Sequence, residues 1–348
     1  MSATSVSELQ LVVVMSGQAT DDEVEGVLTR LAAAGSESRV TPGKESTVIG
    51  ATGDGELLRT LGLEGLAGVQ SVLPIRKPYK HVSIETSPEP TVIQVRGRRI
   101  GGEHFGLIAG PCTVESREQT LETARAVHAA GASMLRGGAY KPRTSPYSFR
   151  GLGEAGLAIL EEAREETGLP VVTELMDPRH VEAVSASADV IQIGARNMQN
   201  YLLLAEVGQG DRPVLLKRGP SASIEELLMA AEYILNEGNP RVILCERGIR
   251  SFDRSTRYTL DVGAIPVLKE ETHLPVVVDP SHAAGRRELV PALARAAVAA
   301  GADGIIVEVD RAPDEALCDA AQLIPAAQFP AFADEMRSLA SLLGKTIG

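Results

Sequence analysis

The chain has 348 residues, more than one ordinary core at roughly 100–200 residues per domain, though a barrel domain takes about 250 by itself. With 44% hydrophobic and 23% charged residues the composition is globular, and a formal net charge of −12 excludes a protein that coats nucleic acid, whose affinity would come from neutralised phosphates. No apolar run reaches the ~18 residues of a membrane span and MSATSVSELQ has no signal-peptide character. Three scattered cysteines (Cys112, Cys245, Cys318) argue against a disulfide framework and for a reducing cytoplasm.

The first predicted elements form a small unit over residues 1–75. LQLVVVM (9–15) reads as a strand, and TDDEVEGVLTRLAAA (20–34) as an amphipathic helix with Thr20 or Asp21 at its N-cap and Gly35 at its stop. Strands near 37–41 and 46–51, a helical stretch around 55–66 and a last strand at 69–75 complete a β-α-β-β-α-β order, the split βαβ arrangement of many small ligand-sensing domains. Residues 76–104 read as a linker and a hairpin.

From 105 to 348 an apolar strand, a loop and a helix recur. The strands are FGLIA (105–109), SMLRG (133–137), PVVTE (170–174), VIQIG (190–194), PVLLK (213–217), RVILC (241–245), PVVVD (275–279) and GIIVE (304–308). Helical patterns at 117–130, 154–167, 223–236 and 286–300 separate them. Scarce aromatics and abundant Val, Ile, Leu and Ala suit a parallel sheet buried on both faces. The class is α/β, and the repetition predicts a (β/α)8 TIM barrel; an open doubly wound sheet would not need so many consecutive parallel units.

In such a barrel the reactive groups gather beyond the C-terminal ends of the strands. One set there is a ring of cations: Arg136, Lys141, Arg143, Arg196, Lys217, Arg218 and Arg247. In a chain this acidic, such a ring points to ligands with more than one anionic group. Guanidinium forks match phosphate and carboxylate oxygens at roughly 1.5–3 kcal/mol per charge-assisted bond. One or two of the ring are expected to pair with Glu174 or Glu246 instead. The other set is Cys112, His282, Glu308 and Asp319. It has no CxxC or HExxH spacing, so its metal signal rests on shared position, and a lone Cys or His there is more often structural. Four metal-competent types converging favour a site, and mixed thiolate, imidazole and carboxylate donors suit Zn, Fe, Mn or Co better than Mg or Ca. The 140–150 loop, stiffened by prolines, offers Arg143, Thr144 and Ser145 to a phosphate monoester; a rigid loop packing on a neighbouring subunit is the plainer reading.

At these residues the chain resembles the 3-deoxy-D-arabino-heptulosonate 7-phosphate (DAHP) synthases, in the subtype with an N-terminal ferredoxin-like regulatory domain. The motifs that carry the resemblance are AGPCTVES, LRGGAYKPRTSPYSFRGLG, IQIGARNMQN, LLKRG, ILCERGIRSF, DPSHAAGRRE and GIIVEV, with KPRTSPYSF the most specific. The resemblance implies condensation of phosphoenolpyruvate with erythrose 4-phosphate and water, giving the heptulosonate phosphate and inorganic phosphate, the first step of the shikimate pathway to chorismate and aromatic amino acids. It implies a divalent metal (Mn, Fe, Zn or Co) on Cys112, His282, Glu308 and Asp319. Phosphoenolpyruvate would sit on Arg136, Lys141, Arg196, Lys217 and Arg247, and erythrose 4-phosphate on Arg143, Thr144 and Ser145. Lys141 would bind the carboxylate or protonate the new alkoxide, with Cys112 and His282 completing the catalytic centre. A homotetramer and a Tyr or Phe feedback effector at the N-terminal domain are also implied.

Two departures touch the metal's surroundings. VEVDR stands for the usual VEVHP, which puts Asp310 in place of a histidine, and CDA stands for SDG, which puts Cys318 beside Asp319. The sister reaction, with arabinose 5-phosphate, is disfavoured by KPRTS, since its enzymes carry a KANRSS-like loop and normally lack this N-terminal domain. A non-catalytic sensor on a decayed barrel would have lost ligands or basic residues, and none is lost.

Overall fold

Thr20 starts the first helix with a capping box. Its hydroxyl accepts from the Glu23 N–H at 3.3 Å, and the Glu23 carboxylate accepts from the Thr20 N–H at 2.8 Å. Such a cap contributes about 1 kcal/mol. In the computed structural model, which describes residues 8–43, 46–75, 78–143 and 145–348, the chain divides into two compact units, Met1–Pro88 and Glu89–Gly348. Among the described residues no helix is long and apolar enough to cross a membrane.

The first unit holds β1 (Glu8–Met15), α1 (Asp21–Ala33), β2 (Glu37–Pro42), β3 (Thr47–Asp54), α2 (Gly55–Thr60) and β4 (Val69–Ile75). Its antiparallel sheet runs β2-β3-β1-β4. Leu11, Val13 and Met15 alternate onto one face and pack with Val27 and Leu31 of α1 and with Ile49 and Ala51. The helical stretch expected over 55–66 is shorter. Gly62 takes φ +62° and stops it, leaving a single 3-10 turn at Leu63–Gly65.

The second unit opens with a hairpin, β5 (Ile93–Val95) and β6 (Arg98–Ile100), joined by Arg96-Gly97. Eight parallel strands follow: β7 (His104–Gly110), β8 (Met134–Arg136), β9 (Val171–Leu175), β10 (Val190–Ile193), β11 (Val214–Lys217), β12 (Val242–Glu246), β13 (Val276–Val278) and β14 (Gly304–Asp310). Pairing of β14 with β7, Gly304 opposite Gly106 through Glu308 opposite Gly110, closes the barrel. The helices α3 (Arg117–Ala129), α4 (Glu154–Thr167), α5 (Val181–Ser187), α6 (Tyr201–Gly208), α7 (Ile224–Asn236), α8 (Ala264–Glu271), α9 (Pro280–Ala284) and α10 (Val290–Ala299) lie between the strands, and α11 (Phe329–Leu342) follows the last. Inside the barrel Ile108, Met134, Val172, Val190, Leu215, Ile243, Val277 and Ile306 form one apolar cluster, which Ile93, Val95 and Ile100 of the hairpin extend at the strands' N-terminal end. This is the packed interior of a TIM barrel, and it leaves the opposite end of the strands for polar groups. All three cysteines are buried and unbridged.

Candidate active site

Beyond the C-terminal ends of the strands lies a cavity of about 520 Å³. Arg136 at the end of β8, Lys141 and Arg143 in the following loop, Arg196 after β10, Lys217 at the end of β11 and Arg247 after β12 all line it, as does Ser145. Thr144 lies outside the described residues. Arg218 departs from the expected ring. It is buried against Glu246 (2.8 Å) and Asp261 (2.9 Å), because the alternation of a strand that aims Lys217 into the cavity turns the next side chain away. Arg250 and Arg257 line the cavity instead. The arginine-rich run RGIRSFDRSTR after β12 was the available signal for them, but a loop has no periodicity to aim its side chains.

The cations are not all neutralised. Arg136 Nη1 donates to Glu308 at 2.5 Å and Lys217 Nζ to Asp279 at 2.5 Å. Among the described residues, the buried Arg136 Nε and Arg247 Nη1 have no hydrogen-bond partner. Buried donors of this kind are costly unless a ligand satisfies them. Arg247 is held with its guanidinium 4.1 Å from the centroid of the Tyr258 ring. Glu174, in β9, lines the cavity among these cations and accepts from Gln192 Nε2 at 3.2 Å. Burial raises its pKa against the pull of Lys141, Lys217, Arg136 and Arg196. Gly194 makes room for it, since a Cβ there would meet Glu174 Oε1 at 2.0 Å.

At the side of the cavity, Cys112 Sγ and carboxylate oxygens of Glu308 and Asp319 lie within 4.8 Å of one another. Gly110, two residues before Cys112, passes so near β8 that a Cβ would meet the Arg136 carbonyl oxygen at 2.1 Å. Asp319 takes a left-handed φ of 51°, which Asp tolerates better than most residues. The positive φ thus falls on Asp319 and not on Ala320, which begins a 3-10 turn, so the missing glycine of the CDA departure leaves no backbone strain. His282 sits in the short helix α9, capped by Asp279, whose Oδ1 accepts from the His282 N–H at 2.9 Å. Its Nδ1 lies 2.7 Å from Asp279 Oδ2 and its Nε2 3.5 Å from Glu308 Oε1, so it borders the three-residue cluster without joining it at 4.8 Å.

Electrostatics bind the two sets together. Lys141 Nζ stands 2.8 Å from Cys112 Sγ and 3.2 Å from Asp319 Oδ2. Burial, then Glu308, pushes the Cys112 thiol up against Lys141 and Arg136. Burial also opposes the Glu308 charge, but His282, Arg136 and Lys141 outweigh it and hold the carboxyl well below its usual range. For His282 burial lowers the pKa against the pull of Asp279 and Glu308, which face its two ring nitrogens. A thiol, a neutral imidazole and two carboxylates fit a borderline divalent cation, whose charge would draw the proton from sulfur. Arg143 Nη1 donates to Cys318 Sγ at 2.6 Å, so the first residue of the CDA departure touches the phosphate-candidate loop.

Comparison with known proteins agrees with this geometry. The model of the DAHP synthetase I family matches residues 84–345, and that of the DAHP synthase ferredoxin-like domain matches residues 11–77. The phospho-2-dehydro-3-deoxyheptonate aldolase of Thermotoga maritima is 48% identical over 334 residues, 96% of this chain and 99% of that protein. A crystal structure of the Thermotoga maritima DAHP synthase superimposes with a TM-score of 0.78 at 47% identity, covering 98% of this chain and 100% of that one. A 2-dehydro-3-deoxyphosphooctonate aldolase of Syntrophotalea carbinolica is 34% identical over 273 residues, 73% of this chain and 98% of that protein. The chain belongs to the DAHP synthetase I family and carries that family's ferredoxin-like domain.

Proposed function

We propose that this chain condenses phosphoenolpyruvate with erythrose 4-phosphate and water to give DAHP and inorganic phosphate. The observation that carries the reading is a single cavity lined by arginines, two of which have a buried nitrogen without a partner among the described residues, beside a cysteine–carboxylate cluster. Two phosphorylated substrates repel each other, and a ring of fixed cations is what holds them in register; orientation of this kind contributes several kcal/mol.

Arg136, Lys141, Arg196, Lys217 and Arg247 hold the phosphate and carboxylate of phosphoenolpyruvate. Arg143, Thr144 and Ser145 hold the phosphate of the sugar. Cys112, His282, Glu308 and Asp319 hold a divalent ion of the Mn, Fe, Zn or Co type. Bound there, the ion supplies Lewis acidity for an aldehyde or water oxygen. C3 of phosphoenolpyruvate attacks the aldehyde, positive charge develops at C2, water adds there, and phosphate leaves by C–O cleavage. Lys141 donates a proton at the new alkoxide oxygen; its contacts with Cys112 and Asp319 support a place between both sets of groups. The ferredoxin-like domain, residues 1–75, serves regulation by Tyr or Phe, and residues 105–348 carry the catalysis in a homotetrameric cytoplasmic enzyme. The ferredoxin-like match supports the first of these assignments and the barrel family the second.

Phosphate release from phosphoenolpyruvate tests the reading. Release is expected only with erythrose 4-phosphate and a divalent metal together, and a chelator should stop it. Equal turnover with arabinose 5-phosphate would assign the sister reaction instead.

A further inference from the structure

The amide of Gln119 occupies a position that the reaction as described does not use. It lies in the first turn of α3, where Ser116 caps the helix, accepting from the Gln119 N–H at 3.1 Å. A Ser with Gln three residues on would ordinarily close a capping box by bonding back to the cap N–H. Here the side chain turns elsewhere. Its Nε2 donates to Asp310 Oδ2 at 2.6 Å and to the Thr113 carbonyl at 3.3 Å, and its Oε1 accepts from the Glu115 N–H at 3.3 Å and the Thr120 hydroxyl at 3.1 Å. Both donors and both acceptor positions of the amide are occupied, and Gln119 and Asp310 are both buried.

Three of the four partners lead to different parts of the cysteine–carboxylate cluster. Thr113 follows Cys112, and its hydroxyl lies 3.7 Å from Cys112 Sγ. Asp310 ends β14, two residues beyond Glu308, and fixes its own turn by accepting from the Ala312 N–H at 2.9 Å. Glu115, whose N–H the amide takes, accepts from the Leu317 N–H at 2.9 Å, two residues before Asp319. One buried side chain thus ties together the three segments that bear Cys112, Glu308 and Asp319. The aspartate that replaces the customary histidine at 310 supplies the strongest of its bonds, a charge-assisted one.

We infer that Asp310 and Gln119 form a positioning pair that fixes the mutual spacing of the Cys112, Glu308 and Asp319 donors. The inference rests on the metal reading of that cluster and extends it to residues that touch neither ion nor substrate. Partners one step removed from a metal commonly change its affinity by about 10- to 100-fold.

The test is a cobalt titration of the chelator-treated full chain, followed by the thiolate-to-cobalt charge-transfer absorbance, with zinc competition to set the scale. Gln119→Ala and Asp310→Ala should each weaken cobalt binding by about tenfold or more and reduce the band. The double variant should be no weaker than the weaker single one, since both remove the same link. Asp310→Asn, which keeps an acceptor oxygen, should bind close to wild type. Gln119→Glu keeps the volume but loses both donors, and should weaken binding even if the alanine variants do not fold. A merely structural role would lower the melting temperature and leave cobalt affinity and band unchanged, which overturns the inference, as would losses that multiply in the double variant. A wild-type chain with no Cys112-dependent band overturns the metal reading and this inference with it; a wild-type band that every variant preserves overturns the inference alone.

Discussion

The two ends of the barrel handle buried charge in opposite ways. At the N-terminal end Asp303 is fully buried, yet it accepts from Lys269 (2.6 Å), Lys345 (2.6 Å) and the Val276 N–H (2.8 Å). Asp189 is similarly held by Arg96, Arg164 and the Val171 N–H. Apolar hairpin residues close that end. At the C-terminal end, arginine and lysine outnumber the carboxylates lining the cavity, and two guanidinium nitrogens have no partner among the described residues. Charge that is satisfied internally stabilises a fold. Charge left in surplus and shielded from water needs a ligand, and that difference separates framework from site more sharply than burial does.

The largest expected effect comes from the C-terminal end. Cys112→Ala should cut metal-dependent turnover by about a thousandfold, the equivalent of about 4 kcal/mol of lost transition-state stabilisation, while the melting temperature stays close to wild type. Turnover that survives would remove the sulfur from the ligand set. The complementary change at the N-terminal end is Asp303→Ala. It strands two ammonium groups and a backbone N–H, and should lower the unfolding free energy by about 3 kcal/mol in a denaturant titration. Specific activity of the folded fraction should hold. If it fell as well, the two ends would be coupled and the contrast between them would fail.

How much of this was visible beforehand follows from periodicity. Strands buried on both faces read as uninterrupted apolar runs such as PVLLK and GIIVE, so the barrel and its order were legible, and the capping box at Thr20 is a local pattern. Strand ends were legible to about a residue, which sufficed for Lys217 but not for Arg218, because one residue reverses the side-chain direction. Arg250 and Arg257 stand on a loop with no repeat to aim them. The Gln119–Asp310 bond joins residues 191 positions apart, and nothing local marks either as its partner. Asp310 was visible only as a departure from a motif.

A middle-sized effect tests the surplus itself. Arg247→Ala removes a guanidinium that stacks on Tyr258 and has one nitrogen unpartnered. The ligand would lose a charge-assisted bond of about 2 kcal/mol, so kcat/KM for phosphoenolpyruvate should fall about 30-fold. Stability should not fall in step, because the lost group has like charges for neighbours. A large drop in melting temperature with unchanged kinetics would reclassify Arg247 as framework.

The smallest effect is expected at the hairpin turn that closes the N-terminal end. Arg96 and Gly97 have φ of 44° and 82°, the left-handed pair of a two-residue turn that Asn-Gly fills most comfortably. An arginine there costs about 1 kcal/mol of backbone strain, offset by its 2.5 Å bond to Asp189 from a side chain that is 54% exposed. Arg96→Asn relieves the strain and gives up the bond, and Asp189 keeps Arg164 and the Val171 N–H. The two terms oppose each other, so stability should change by less than about 1 kcal/mol in either direction, and kcat and KM should not move. Because the substitution alters charge and backbone preference at the closed end without opening a cavity, a change in kcat/KM of more than about threefold would mean that the hairpin reaches the cavity through the barrel interior.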